Sequence, residues 1–340
     1  MQATMMNVRL SLNDVLERAR TIFSGNEIVS RLPDKSLRRH TYGEYARRTR
    51  TLAAALLKLG LQRGDRVATL AWNHHAHLEC YFGIPAAGGV MLTLNLRLAP
   101  DELGWIAADA QDRFLIVDDI LLPLYRQFAH LHRFEKVIVF PFSGAGVDAP
   151  FIDYEALLQD TDASHFDYVD HDENDAVAMC YTSGTTGRPK GVVYSHRSTI
   201  LHTLVAMGAD VWGLHNTDTV MPATPMFHAN CWGMPYGAVM QGAKMVFPGP
   251  HLHPDDLLDL MTLEPPTMSL GVPTIWLSLI QTYERALAEG STRWRLPRGM
   301  RSLVGGAAVP ESLIRAFARQ GIEIKQGWGM TETSPLATVV

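Results

Sequence analysis

The chain has 340 residues, 47% of them hydrophobic and 19% charged, with a formal net charge of −5 at neutral pH. That length suggests about two domains, and the apolar share is ordinary for a soluble protein with a large core. The slight acidity gives no general pull toward nucleic acid or anionic membrane, and the longest apolar run, residues 80–92, is too short to span a bilayer and is broken by Pro85. Residues 1–23 mix Arg9, Asp14, Glu17, Arg18 and Arg20 through their apolar positions, the pattern of an amphipathic helix and not of a signal peptide.

Apolar spacing then predicts a helix over 41–59 with Gly60 as its cap, a strand over 67–70, a helix over 74–87 and a strand over 90–94. A helix over 100–110 follows with proline in its first turn, then strands over 114–117 and 137–140. This alternation predicts an α/β fold with mainly parallel sheets flanked by helices. Residues 143–150 interrupt it with two glycines and a proline, and residues 160–175 are acidic and aperiodic. A boundary in that second stretch divides the chain into subdomains 1–170 and 171–340. Beyond it come a strand over 176–181, a strand-like run over 191–194 and a helix over 196–207. Strands at Val220, Met245 and Thr267 follow, with helices over 274–289 and 310–320 and strands over 301–304 and 322–325.

The most informative segment is 181–191, Tyr-Thr-Ser-Gly-Thr-Thr-Gly-Arg-Pro-Lys-Gly. Hydroxyls at Thr182, Ser183, Thr185 and Thr186 alternate with Gly184 and Gly187, and Lys190 follows. Glycines bring backbone N–H groups close to an anion, and hydroxyls and a lysine add donors and positive charge for phosphate oxygens. The order differs from the P-loop, where lysine directly follows the second glycine and a helix opens. Here the cradle lies between two strands, and the alternative is an ordinary Gly/Thr-rich hairpin loop.

The segment resembles the phosphate-binding signature of adenylate-forming (AMP-binding) enzymes. Residues 326–333, Gln-Gly-Trp-Gly-Met-Thr-Glu-Thr, resemble that superfamily's adenine- and magnesium-binding motif, and residues 305–310, Gly-Gly-Ala-Ala-Val-Pro, its loop beside the adenine. Residues 193–197 and 225–232 resemble most the medium- and long-chain fatty acyl-CoA synthetases. The resemblance runs from about residue 41 to the end. It implies two similar α/β halves with part of a β-barrel beside them, ATP and coenzyme A as substrates, Mg²⁺ as cofactor, and a homodimer.

The resemblance also distributes roles. Thr182, Ser183, Gly184, Thr185, Thr186, Gly187 and Lys190 would bind the ATP phosphates, with Thr182 and Glu332 as magnesium ligands and Thr331 on the α-phosphate. Gly305, Gly306 and Ala307, with Gly327, Trp328 and Gly329, would form the adenine site. Trp328 between two glycines can stack on a purine, the alternative being a core tryptophan. His228 would act at the acyl carboxylate. Trp232 would close the acyl tunnel, against the bland reading of a core aromatic. By the same resemblance, residues beyond Val340 would complete the barrel, hold the ribose and add a small C-terminal domain with the adenylation lysine, so the chain reads as the N-terminal domain of a longer ligase.

Cys80, Cys180 and Cys231 form no CxxC pair and read as reduced, mostly buried residues of a cytoplasmic protein. His74, His75 and His77, like His251 and His253, lack zinc-like partners at the right spacing. Two classes of function remain. One is an enzyme that activates a fatty acid, or as an alternative an aryl acid, to acyl-AMP and then acyl-CoA. The other is a non-catalytic nucleotide-binding module.

Overall fold

The computed structural model describes residue 1, residues 3–182 and residues 187–340. Among them, the strands fall into two sheets. The seven-stranded sheet runs, edge to edge, Ile152–Asp153, Lys136–Phe140, Phe114–Asp118, Arg66–Leu70, Val90–Thr93, Ala176–Thr182 and Lys190–Ser195. All its neighbours are parallel except the last pair, an antiparallel hairpin that sets Thr182 opposite Lys190. The eight-stranded sheet runs Leu336–Val339, Glu323–Gly329, Arg301–Val304, Met268–Gly271, Thr219–Pro222, Lys244–Phe247, Glu27–Arg31 and Leu37–Thr41. It too is parallel inside, with an antiparallel pair at each edge.

The helices complete a five-layer stack. Leu12–Ile22, Tyr42–Lys58, His75–Ala86 and Met234–Gln241 lie between the sheets, and their core includes Ile116 and Phe140 of one sheet and Met245 and Leu270 of the other. Every residue of His75–Ala86 is buried, as a helix enclosed between two sheets must be, with its His75, His77 and Glu79 hydrogen-bonded. Pro100–Asp109 and Leu122–Phe128 cover the outer face of the seven-stranded sheet through Leu103, Ile106 and Phe128. Pro254–Leu263, Pro273–Ala288 and Glu311–Arg319 cover the other outer face through Leu257, Trp276 and Phe317. No helix among the described residues is long and apolar enough to cross a membrane.

Local chemistry sets the element ends. Thr41 caps Tyr42–Lys58 by a reciprocal box: its hydroxyl accepts the Glu44 N–H at 3.2 Å, and the Glu44 carboxylate accepts the Thr41 N–H at 2.8 Å. Ser195 and Ser198 do the same at the start of His196–Ala206, so the hairpin strand turns directly into a helix.

The alternating elements read from the sequence are present, and one feature differs. The sheets do not part at residue 170: strands 27–41 belong to the eight-stranded sheet, and the hairpin 176–195 closes the edge of the seven-stranded one. Register explains the first case, because Ile28 and Val29 pair in parallel with Met245 and Val246.

Candidate functional site

A cleft of about 70 Å³ opens where the ends of the eight-stranded sheet approach the segment that follows Thr219–Pro222. Its walls bring together His228, Trp232, Gly305, Gly306, Gly327, Trp328, Gly329 and Thr331, all of them candidates from sequence. Leu303, Met330, Pro335 and Leu336 complete the lining beside Ala229.

The glycines are there because backbones meet. A Cβ on Gly305 would stand 2.6 Å from the Gly327 carbonyl oxygen, and one on Gly329 would stand 2.0 Å from that of Pro335. The indole of Trp232 lies in ordinary contact distance of where Cβ atoms on Gly305 and Gly306 would be. Trp328 is 55% exposed, so a ring face is free to receive a flat ligand. Ala307 is exposed just outside the cleft.

His228 opens a left-handed turn. Ala229, Asn230, Cys231 and Trp232 have φ between 42° and 57°, and Gly233 follows at 79°. Four consecutive non-glycine residues in this region are costly for L-amino acids, about 1–2 kcal/mol each, so the surroundings must hold the turn in place. The segment before it is held by a loop, a helix and a strand within residues 73–93. Asn73, buried, donates to the carbonyls of Pro222 and Thr224 and accepts the Met226 N–H. Tyr81 donates to the Met226 carbonyl, and Thr93 to that of Phe227. Within the turn, the Cys180 thiol donates to the Asn230 side chain at 3.2 Å. The His228 ring stands exposed at the cleft, yet the protein crowded around it, and then the Arg97 charge, hold its pKa below the ordinary imidazole value.

Ser183, Gly184, Thr185 and Thr186 lie outside the described residues. Thr182, Gly187 and Lys190 flank them, and none of the three lines the cleft. The hairpin is tied to the cleft by Tyr194, whose hydroxyl donates to the Thr331 carbonyl at 2.6 Å. Burial, with Glu332 among the nearby negative charges, pushes the Tyr194 phenol up, so it stays a neutral donor. Glu332 itself is exposed beside Thr331, outside the cleft lining. The link through Tyr194 had no signal of its own in the sequence, because it joins residues 137 positions apart. The three cysteines are free and buried. The His74 ring bonds Asp118 at 2.8 Å, His75 bonds Ser30 and His77 bonds Thr69.

Comparison with known proteins places this arrangement. The model of the family described as "AMP-binding enzyme" matches residues 17–340. A long-chain-fatty-acid–CoA ligase of Thermus thermophilus is 45% identical over 98% of this chain and 60% of its own length. A 3-methylmercaptopropionyl-CoA ligase of Ruegeria lacuscaerulensis is 41% identical, and a medium-chain-fatty-acid–CoA ligase of Ectopseudomonas oleovorans 38%, each over 99% of this chain and 62% of its own length. The chain thus spans about 60% of the length of these relatives. An anthranilate CoA ligase structure superposes with a TM-score of 0.87 at 23% identity, covering all of this chain and 63% of that one. A long-chain-fatty-acid-CoA ligase from Archaeoglobus fulgidus superposes with a TM-score of 0.85 at 22% identity, over 98% and 66% of the two chains. The fold is therefore shared, and with the family matched over nearly its whole length, the chain belongs to the AMP-binding enzymes.

Proposed function

We propose that this chain supplies the nucleotide and acyl sites of an acid–CoA ligase. A carboxylate oxygen of the acid attacks the α-phosphorus of ATP, the bond to pyrophosphate breaks, and acyl-AMP forms. The thiol of coenzyme A then attacks the acyl carbon, AMP leaves, and the thiol proton passes to solvent. The observation that carries this reading is the convergence of eight candidate residues on one cleft, tied through Tyr194 and Thr331 to the hairpin bearing Thr182 and Lys190.

In this reading Trp328 stacks on adenine and Gly305, Gly306 and Ala307 admit its edge. Thr331 bonds the α-phosphate, the 182–190 segment cradles the others, and Lys190 offsets the charge that accumulates on them. Thr182 and Glu332 offer one hydroxyl and one carboxylate, and among the described residues no group of three or more His, Cys, Asp or Glu could cage a metal. Such sparse oxygen donors fit Mg²⁺ carried mostly on phosphate and water oxygens, where it would neutralise phosphate charge. His228 faces the acyl carboxylate as a largely neutral imidazole.

Acid-dependent exchange of pyrophosphate into ATP, measured on the full-length protein of which this chain supplies the N-terminal part in this reading, tests it. Lys190→Ala should slow it by one or more orders of magnitude, since a preorganised charge donor is worth about 2.7–4 kcal/mol in comparable sites. An unchanged rate would remove Lys190 from the mechanism. ATP binding with no exchange for any acid would favour the non-catalytic module.

For the acid itself, the reading is an aliphatic fatty acid with Trp232 closing its tunnel. Two of the relatives carry fatty-acid ligase names, and four buried methionines, Met226 and Met234 at the two ends of the turn and Met221 and Met240 farther off, offer adaptable apolar surface for a flexible chain. The runner-up is an aryl or short sulfur-bearing acid, favoured by relatives named benzoate–CoA ligase and 3-methylmercaptopropionyl-CoA ligase. Comparing kcat/KM across acids of increasing length separates them. If short or aryl acids are best and Trp232→Ala changes nothing, the runner-up holds. A homodimer completes the proposal, supported by the exposed stripe Leu201, Leu204 and Val205 on one helix. Light scattering that reports a monomer at all concentrations would exclude it.

A further inference from the structure

Helix Pro100–Asp109 lies beside the hairpin that carries Thr182 and Lys190, and it grips both sides of it. On the outgoing strand, the Tyr181 ring meets Trp105 edge-on at 6.3 Å, and its hydroxyl donates to Asp109 at 2.7 Å. On the returning side, the Arg188 guanidinium lies over the Trp105 ring, 5.2 Å from its centroid. One tryptophan thus touches residues on both flanks of the same turn. The hairpin is shaped for this contact. Tyr181 pairs with Gly191, where a Cβ would stand 3.2 Å from the tyrosine ring, so the missing side chain leaves the ring its place across the partner strand.

The helix is a firm base. Gly104 lets it sit directly on Leu131, which a Cβ there would approach to 2.6 Å. Asp109 is its last residue, and a carboxylate at that end opposes the helix dipole. Helix stability therefore does not account for Asp109, whereas the bond to Tyr181 does.

We propose that Trp105 and Asp109 are positioning residues for phosphate binding. They clamp the hairpin's two flanks to a rigid helix, which fixes where Thr182 and Lys190 stand. The inference rests on the nucleotide reading above and adds a part of the fold that lies outside the cleft. Clamping the hairpin matters for ligands that reach it and not for those confined to the Trp328 side of the cleft. ATP and adenosine are therefore the informative pair of probes.

The test is calorimetric binding of each probe to the full-length protein in the presence of Mg²⁺. Trp105→Ala and Asp109→Ala should raise the Kd for ATP about threefold to tenfold, the worth of a cation–π contact or a hydrogen bond to a charged group, and leave the Kd for adenosine unchanged. Trp105→Tyr keeps a ring and Asp109→Asn keeps an acceptor, so both should stay near the parent. Arg188→Ala should cost less on the Trp105→Ala background than alone. Parent-like ATP binding by Trp105→Ala, or equal weakening of both probes, overturns the clamp. If the parent chain binds neither probe, the nucleotide reading fails and the clamp falls with it.

Discussion

His77 shows how one buried side chain makes stability depend on pH. Its Nδ1 lies 3.0 Å from the Trp72 carbonyl, which can only accept, so Nδ1 carries the proton and Nε2 accepts from the Thr69 hydroxyl at 3.0 Å. Burial first, and then the His74 charge, push the His77 pKa down from 6.5 to about 3. The neutral ring is thus favoured in the folded state, and the unfolded chain binds the proton more readily. The contribution is complete above pH 6.5 and is lost as pH falls toward about 3. Burial pushes His196 to about 3 and His202 to about 4, with the same sign. Asp112, buried and pushed up, works in the opposite sense, favouring the fold as it protonates. Urea unfolding between pH 4 and 7 should therefore show stability falling on acidification, with a shallower slope for His77→Gln. An identical slope in that variant would place the pH dependence elsewhere. Gly305 is a second single-residue case. Gly305→Ala forces its methyl onto the Gly327 carbonyl, which should cost about 1–3 kcal/mol and close the cleft to adenosine. Chemical denaturation and adenosine binding measure the two effects separately.

At the scale of elements, the turn after His228 and the network around Arg48 make contrasting predictions. Ala229 is buried at a φ of 42°, where glycine is unstrained and a β-branched residue is an outlier. Ala229→Gly should leave stability near the parent's, while Ala229→Val should lose about 2 kcal/mol or more to strain and overpacking. Denaturant midpoints for the pair decide whether the left-handed turn exists in solution, since an ordinary turn would rank them otherwise. Arg48 bonds Glu79 through Nε at 2.6 Å and Glu155 through Nη1 and Nη2, both at 2.8 Å. Glu79 is 1% exposed and also accepts from Tyr154. Arg48→Met would strand a buried carboxylate and should cost about 3–5 kcal/mol. Glu79→Gln in the same background should recover part of it, and failure to do so would show that the charge is not what the arginine serves.

The whole molecule shows which parts of this architecture are legible in sequence. Strands such as Phe114–Asp118, buried at every residue, are continuous apolar runs up to a final aspartate and were readable over 114–117. Leu37–Thr41 was not: Leu-Arg-Arg-His-Thr is an edge strand with Arg38 and Arg39 exposed, and only its partner makes it a strand. Met234–Gln241 is buried at every residue but the last, so it carries no amphipathic stripe to reveal it as a helix. The motif residues of the cleft were legible because they are contiguous at 305–307 and 327–332. Asn73, Tyr81, Thr93 and Tyr194 were not, because their task is to hold segments more than 130 positions away, and nothing local in a sequence marks that. At this scale, MgATP should raise the unfolding temperature in proportion to its affinity, by the free energy RT ln(1 + [L]/Kd). A melting temperature independent of ATP concentration would speak against a nucleotide site.

The pairing of Ile28 and Val29 with Met245 and Val246 also has a consequence for the birth of the chain on the ribosome. The Glu27–Arg31 strand emerges early, but its parallel neighbour emerges more than 200 residues later. At about 5–20 residues per second the strand waits on the order of 10–40 s for its partner. During that interval only the Leu37–Thr41 hairpin arm can satisfy it, and two-stranded hairpins are marginal alone. The seven-stranded sheet, complete once residue 195 has been made, can consolidate first. Stalled nascent chains should therefore protect residues 66–195 from protease well before residues 27–41, which become resistant only after the Lys244–Phe247 strand has cleared the exit tunnel.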